Sequence, residues 1–124
     1  MSKKILLVED EVDATLMLTK MLSNAGYTVD VLPEGTSLVG RDFPLPDMFI
    51  LDNFMPTIHG VALCKYLKLQ SKTKSIPIII ISANQHLKSN AADAGATRFL
   101  AKPFHTAQLL KLVDEIFLQK AEAL

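Results

Sequence analysis

Five polar residues stand where short apolar runs end: Glu9 and Asp10 after 5–8, Asp52 after 48–51, Ser82 after 78–81, and Lys102 after 99–101. A lone Asp or Ser at such a place is ordinarily a turn residue, and Lys102-Pro103 reads equally well as a simple strand stop. Together they carry chemistry. Three carboxylates in one crevice repel one another and hold protons more tightly unless a cation intervenes. All-oxygen ligation with room for water suits Mg²⁺, which leaves positions for phosphate oxygens. A carboxylate in such a site is also a nucleophile able to accept a phosphoryl group as an acyl phosphate. That transfer asks for in-line positioning and neutralisation of the equatorial oxygens. The Lys102 ammonium and the Ser82 hydroxyl are suited to the second task.

These residues converge only if the runs that precede them lie side by side. Residues 4–8 form a continuous apolar run, the pattern of a strand buried on both faces. The same holds for 48–51, before Pro56, and for the four isoleucines at 78–81. Residues 28–32 alternate and read as an edge strand, and 98–101 read as the fifth strand. Between them lie helical stretches. The first covers 12–25, with Leu16, Met17, Met21, Leu22 and Ala25 inward and Gly26 as its left-handed stop. A short helix is expected around Leu38 and Val39, ended by Gly40. The next spans 60–72, with Val61, Cys64, Leu67 and Leu69 inward and Gly60 letting the chain turn into it. A weak helix over 85–94 has Leu87 as its one large aliphatic and ends at Gly95. The last covers 106–119, capped by Thr106, with Leu109, Leu112, Val113, Ile116 and Phe117 on one face.

The alternation is (βα)5, an α/β parallel sheet wrapped on both faces. The edge character of the second strand favours the order 2-1-3-4-5. In such sheets a ligand crevice opens outside the carboxyl ends, between the first and third strands. Those strands end in Glu9-Asp10 and Asp52, so topology and carboxylates point to one place.

The chain has 124 residues, 49% hydrophobic and 21% charged, the balance of one soluble globular domain. Its formal net charge is zero, which provides no electrostatic footprint for nucleic acid or an anionic membrane. The single cysteine, Cys64, permits no internal disulfide and reads as a small buried apolar residue. The first apolar run is too short for a signal peptide or a membrane span. A cytoplasmic location is expected. His59, His86 and His105 have no ligand spacing, Glu11 reads as a first-turn acid facing the helix dipole, and no glycine-rich phosphate loop is present.

With those residues in view, the chain resembles a receiver domain of the two-component response-regulator family, of the chemotaxis-regulator type, over essentially its full length. The matching blocks are Glu9-Asp10, Asp52…Met55-Pro56…Gly60, Ser82-Ala83, Ala94-Gly95-Ala96 and Lys102-Pro103-Phe104. Each is weak alone; in this order and spacing they are specific. The resemblance implies a flavodoxin-like fold and a single receiver domain over 1–124 with no output domain in this chain. It implies that Asp52 accepts a phosphoryl group from a histidine kinase or a histidine phosphotransfer protein. Asp10, Asp52 and the Phe54 backbone carbonyl would hold Mg²⁺, with Glu9 acting through water. Lys102 would pair with the phosphoryl group, and Ser82 and Phe99 would form a switch pair. A cis peptide between Lys102 and Pro103 is a further family expectation. Such a domain is a signalling module rather than an enzyme, although it promotes transfer to its own aspartate and its own dephosphorylation. Its output goes to a downstream protein or to an output domain outside this chain.

Several residues depart from the family pattern. Phe99 replaces the commoner tyrosine, and Ile58 and His59 stand where Met and Asp or Asn are usual. The span from Ser82 to Gly95 is shorter by about two residues, on the face many receivers use for output. Phe54 and Asn84 occupy positions that tune acyl-phosphate lifetime in the family. Two other classes of function compete with this reading. One is a receiver-fold interaction module that is not phosphorylated, against which the presence of Asp10, Asp52 and Lys102 speaks. The other is a flavodoxin-like cofactor binder or small hydrolase, which lacks a phosphate-cradling loop and any Ser–His or Cys–His pairing here.

Overall fold

A computed structural model describes residues 2–55 and 57–122. Pro56, expected to stop the third strand, lies outside the described residues, as do Ala123 and Leu124 at the end of the tail. Strands β1 (Lys4–Val8), β2 (Thr28–Leu32), β3 (Met48–Asp52), β4 (Ile78–Ser82) and β5 (Arg98–Ala101) form one five-stranded sheet in the order β2-β1-β3-β4-β5. Every pairing is parallel. The strand order and the edge position of the alternating β2 are those read from the sequence.

Because side chains alternate along a strand, each buried strand feeds two cores. Leu6, Val8, Phe49, Leu51, Ile78 and Ile80 face one side. There they meet Leu63, Cys64 and Leu67 of α2 (Gly60–Leu69) and Ala91 of α3 (Lys88–Asp93). Ile5, Leu7, Met48, Ile50, Ile79 and Ile81 face the other. They pack on Leu18 and Leu22 of α1 (Val12–Asn24) and on Leu109, Val113 and Ile116 of α4 (Thr106–Glu122). No helix among the described residues is long and apolar enough to cross a membrane.

The helices depart from expectation in ways the packing explains. Four α-helices are present among the described residues instead of five, since the stretch after β2 forms only a 3₁₀ turn, Thr36–Leu38. Pro33 precedes it and Gly40, Pro44 and Pro46 follow, leaving no room for a longer helix, though Leu38 is buried as an anchor. In α1 the inward face is Leu18 and Leu22, whereas Leu16 and Met17 are exposed. Apolar residues occupy two overlapping helical stripes there, and period alone does not choose between them. Helix α2 ends at Leu69, which is exposed, not at 72. The Thr73 hydroxyl donates to the Leu67 carbonyl at 2.5 Å and satisfies a terminal acceptor. The stretch 85–94 is a 3₁₀ turn, Gln85–Leu87, leading into the six-residue α3. At α4, Thr106 is the first helical residue, not the cap. The Gln108 side chain instead accepts from the His105 N–H at 2.7 Å, half of a capping box.

Gly60 also serves a purpose other than the expected turn. A Cβ at this position would lie 2.8 Å from the Asp52 carbonyl oxygen and 3.0 Å from Asn53 Cα. The start of α2 is therefore laid directly on the end of β3. Those neighbours are backbone atoms and cannot swing aside. Gly60→Ala is expected to destabilise the fold by about 2–3 kcal/mol, read as a lower midpoint in urea with an unchanged m-value.

Candidate functional site

The register of the sheet determines where the polar strand ends fall. Val8 pairs with Leu51, so Glu9 comes alongside Asp52. Asp52 pairs with Ile81, placing Ser82 one step further, and Ser82 pairs with Ala101, just before Lys102. Hydrogen bonds carry the ladder past the strands: Glu9 N donates to the Leu32 carbonyl at 3.0 Å, Asn53 N to Ile81 at 2.9 Å and Lys102 N to Ser82 at 2.9 Å.

The result is one polar cluster. Glu9, Asp10 and Asp52 each offer a carboxylate oxygen within 4.8 Å of the others. Lys102 Nζ lies 3.6 Å from Glu9 Oε1 and 3.6 Å from Asp52 Oδ2. Glu9 and Asp52 are only 2% and 6% exposed, while Asp10 lies on the open rim. Two buried carboxylates sharing one ammonium leave uncompensated negative charge, and Glu9 registers it. Burial first, then a hydrogen bond to Asp52 and the charge of Asp52, push the Glu9 carboxyl from 4.5 to about 7. The Glu11 N–H, donating to Glu9 Oε2 at 3.3 Å, and the Lys102 charge oppose that rise. An all-oxygen donor set with excess negative charge and an open rim fits a hard divalent cation such as Mg²⁺.

The surrounding loop is held by a residue that did not stand out in the sequence. Asn53 is buried, and its backbone carbonyl accepts from Met55 N at 3.1 Å and Gly60 N at 3.2 Å and contacts His59 Nδ1 at 3.0 Å. Its side-chain oxygen accepts from Val61 N at 3.1 Å, one of the orphan donors at the start of α2. An amide directly after an acid at the end of an apolar run is the sequence signal that could have found it. Phe54 follows, half exposed, with its N–H 3.4 Å from Asp52 Oδ1 and its ring edge-on to His59.

Ser82 is fully buried and its Oγ accepts from Asn84 N at 3.0 Å. Alternation from Ile80 puts it on the same sheet face as Phe99, whose half-buried ring packs against the α2 and α3 core. The Lys102–Pro103 peptide bond is cis. Cys64 is buried, with its thiol pushed up to about 11 by burial, as expected of an inert core cysteine.

Residues 5–114 match the family profile of the response regulator receiver domain. The chain belongs to that family. Receiver domains are the phosphoacceptor modules of two-component systems; they interact with histidine kinases and bind Mg²⁺. Relatives include protein RcaC of Microchaete diplosiphon, 37% identical over 86% of this chain and 17% of RcaC. The phosphate regulon regulatory protein PhoB of Rhizobium meliloti is 33% identical over 91% of this chain and 51% of PhoB. The chain thus spans about half or less of the length of such relatives. The chemotaxis response regulator CheY4 of Vibrio cholerae has a similar structure, with TM-score 0.86 and 29% identity over 94% of this chain and 99% of that one. The receiver domain of the Pseudomonas aeruginosa sensor kinase PA1611, solved with a magnesium ion in its active-site cleft, gives TM-score 0.83 and 29% identity over 93% of this chain and 97% of that one.

The raised Glu9 carboxyl has a definite pH signature. The folded receiver holds this proton more tightly than the unfolded chain, so without metal its stability falls as pH rises from about 4.5 to about 7. Glu9→Gln removes that slope. Above pH 7 the variant is expected to exceed wild type by on the order of 1–3 kcal/mol, with the gain vanishing below pH 5. Denaturation midpoints of the two proteins in EDTA across pH 4.5–8 check this.

Proposed function

We propose that residues 1–124 act as one cytoplasmic receiver domain in which Asp52 is the phosphoacceptor. The observation that carries this is Lys102 Nζ, 3.6 Å from both Asp52 and Glu9, at a point where three carboxylate oxygens lie within 4.8 Å. An Asp52 oxygen attacks the phosphorus of a phosphohistidine on a histidine kinase or phosphotransfer protein. The P–O bond forms as the P–N bond breaks, and the electron pair leaves on the imidazole nitrogen, which is protonated as it departs. Lys102 neutralises a phosphoryl oxygen during this passage and pairs with the product. Asp10, Asp52 and the Phe54 carbonyl would hold Mg²⁺, with Glu9 supporting the site as a further acid. When bound, the ion supplies positive charge to the phosphoryl oxygens.

In the switch reading, the Ser82 hydroxyl exchanges its contact with Asn84 N for a phosphoryl oxygen, and the Phe99 ring moves in behind it. A new charge at Asp52 thus becomes a packing change on the α3–β5 face. The signal passes from there to a downstream protein or to an output domain, and the same site hydrolyses its own acyl phosphate.

Incubation with a small phosphodonor and Mg²⁺ is expected to add one phosphoryl mass to the intact protein. The adduct is expected to be absent from Asp52→Asn and from wild type in EDTA. A wild type that stays unlabelled while another receiver is labelled in the same tube would replace this reading with that of a contact-only module.

A further inference from the structure

One carboxylate outside the acidic cluster reaches the loop that shapes it. Glu34, just after β2, gathers the following turn: Oε2 accepts from Thr36 N at 2.9 Å and from the Thr36 hydroxyl, and Oε1 accepts from Ser37 N at 3.2 Å and Ser37 Oγ at 2.7 Å. These bonds hold the Glu34 carboxyl near 2, so it is an anionic acceptor throughout the neutral range. Oε2 also accepts from Thr57 Oγ1 at 3.3 Å, which joins the β2 turn to the loop between β3 and α2.

The adjacent packing points the same way. A Cβ on Gly35 would lie 2.8 Å from Ile58 Cγ2 and 2.8 Å from Leu63 Cδ2, so the β2 turn is seated tightly against that loop. Thr57 itself has φ of 71°, a left-handed conformation that a β-branched residue adopts only under restraint. It sits three positions after Phe54 and three before Gly60, the residue laid against the Asp52 carbonyl. Residues 53–55 and 57–59 are thus gathered internally on the Asn53 carbonyl and tied externally to Glu34.

We propose that Glu34 and Thr57 form a strap that holds loop residues 53–55 and 57–59 in their reactive shape and so sets the rate at which Asp52 gains a phosphoryl group. This rests on Asp52 being the acceptor and on the Phe54 carbonyl facing the metal. Glu34 and Thr57 are positioning residues and touch neither phosphoryl nor ion. Loosening the strap lets the Phe54 carbonyl and Asp52 drift relative to each other, and in-line transfer is sensitive to misplacement on the order of 1 Å.

Thr57→Val deletes the hydroxyl and keeps the shape; Thr57→Ser keeps the hydroxyl. The valine variant is expected to unfold at the wild-type temperature, exchange its amides faster at Phe54, Met55, position 57 and Ile58, and take phosphoryl from a small phosphodonor on the order of tenfold more slowly. The serine variant should restore the wild-type rate. Glu34→Ala also releases Thr36 and Ser37, so it should slow transfer at least as much. The double variant Glu34→Ala/Thr57→Val should lose less than the sum of the two single losses, because the Glu34–Thr57 bond is broken once. Wild-type rates and exchange in the valine variant, or additive losses in the double variant, overturn the strap. Should the wild type take no phosphoryl, the acceptor assignment fails instead. The strap is then decided by amide exchange at the same positions and by Mg²⁺ affinity from calorimetry, both of which Thr57→Val is expected to change and Thr57→Ser to leave alone.

Discussion

The structure depends on a conflict that the sheet imposes on its own carboxylates. Parallel pairing in a fixed register brings Glu9 alongside Asp52, and burial removes the water that would screen them. Two like charges at such a place resist folding unless they are paired or one is neutral. The Lys102 ammonium, 3.6 Å from each, provides one positive charge for the pair. The raised Glu9 carboxyl expresses the remainder. The apolar ladder of β1, β3 and β4 withstands that repulsion, since its buried residues face packed cores on both sides. What opposes folding in the free protein is the excess negative charge that suits the cluster to a hard cation.

Much of this was legible in sequence because it rests on period and punctuation. Continuous apolar runs of four or five residues, each followed by a polar residue, define buried parallel strands and the edge at which they end. The strand order followed from one alternating strand, and the convergence of Glu9, Asp10, Asp52, Ser82 and Lys102 followed from the order. Features decided by contact were not legible. Gly60 read as a turn residue and proves to be a close approach of helix to strand, which no local pattern distinguishes. Leu16 and Met17 read as core beside Leu22 because α1 carries two apolar stripes; Leu22 is buried as read, and only packing in the shared core selects Leu18 over the other two. The hydrogen-bond hub at Asn53 and the link from Glu34 to Thr57 join residues that sequence spacing does not associate.

The two faces of the sheet are built to different firmness, and the difference bears on the proposed switch. Helices α1 and α4 close one face with large aliphatics, Leu18, Leu22, Leu109, Val113 and Ile116. On the other face α2 contributes Leu63, Cys64 and Leu67, whereas α3 has six residues and Ala91 as its buried member. A helix that short has little intrinsic stability, and one methyl group in the core anchors it weakly. Elements of that kind occupy the low end of the local stability scale and shift under small forces. Ser82 and Phe99 both lie on this less firmly closed face. On the proposed reading, a phosphoryl group formed among rigid strand ends exerts its pull through Ser82 on the part of the molecule least able to resist it. The cluster of charges and the thin helix then act as one device. The rigid sheet makes the charge event local, and the weak packing of α3 allows it to be felt at the surface.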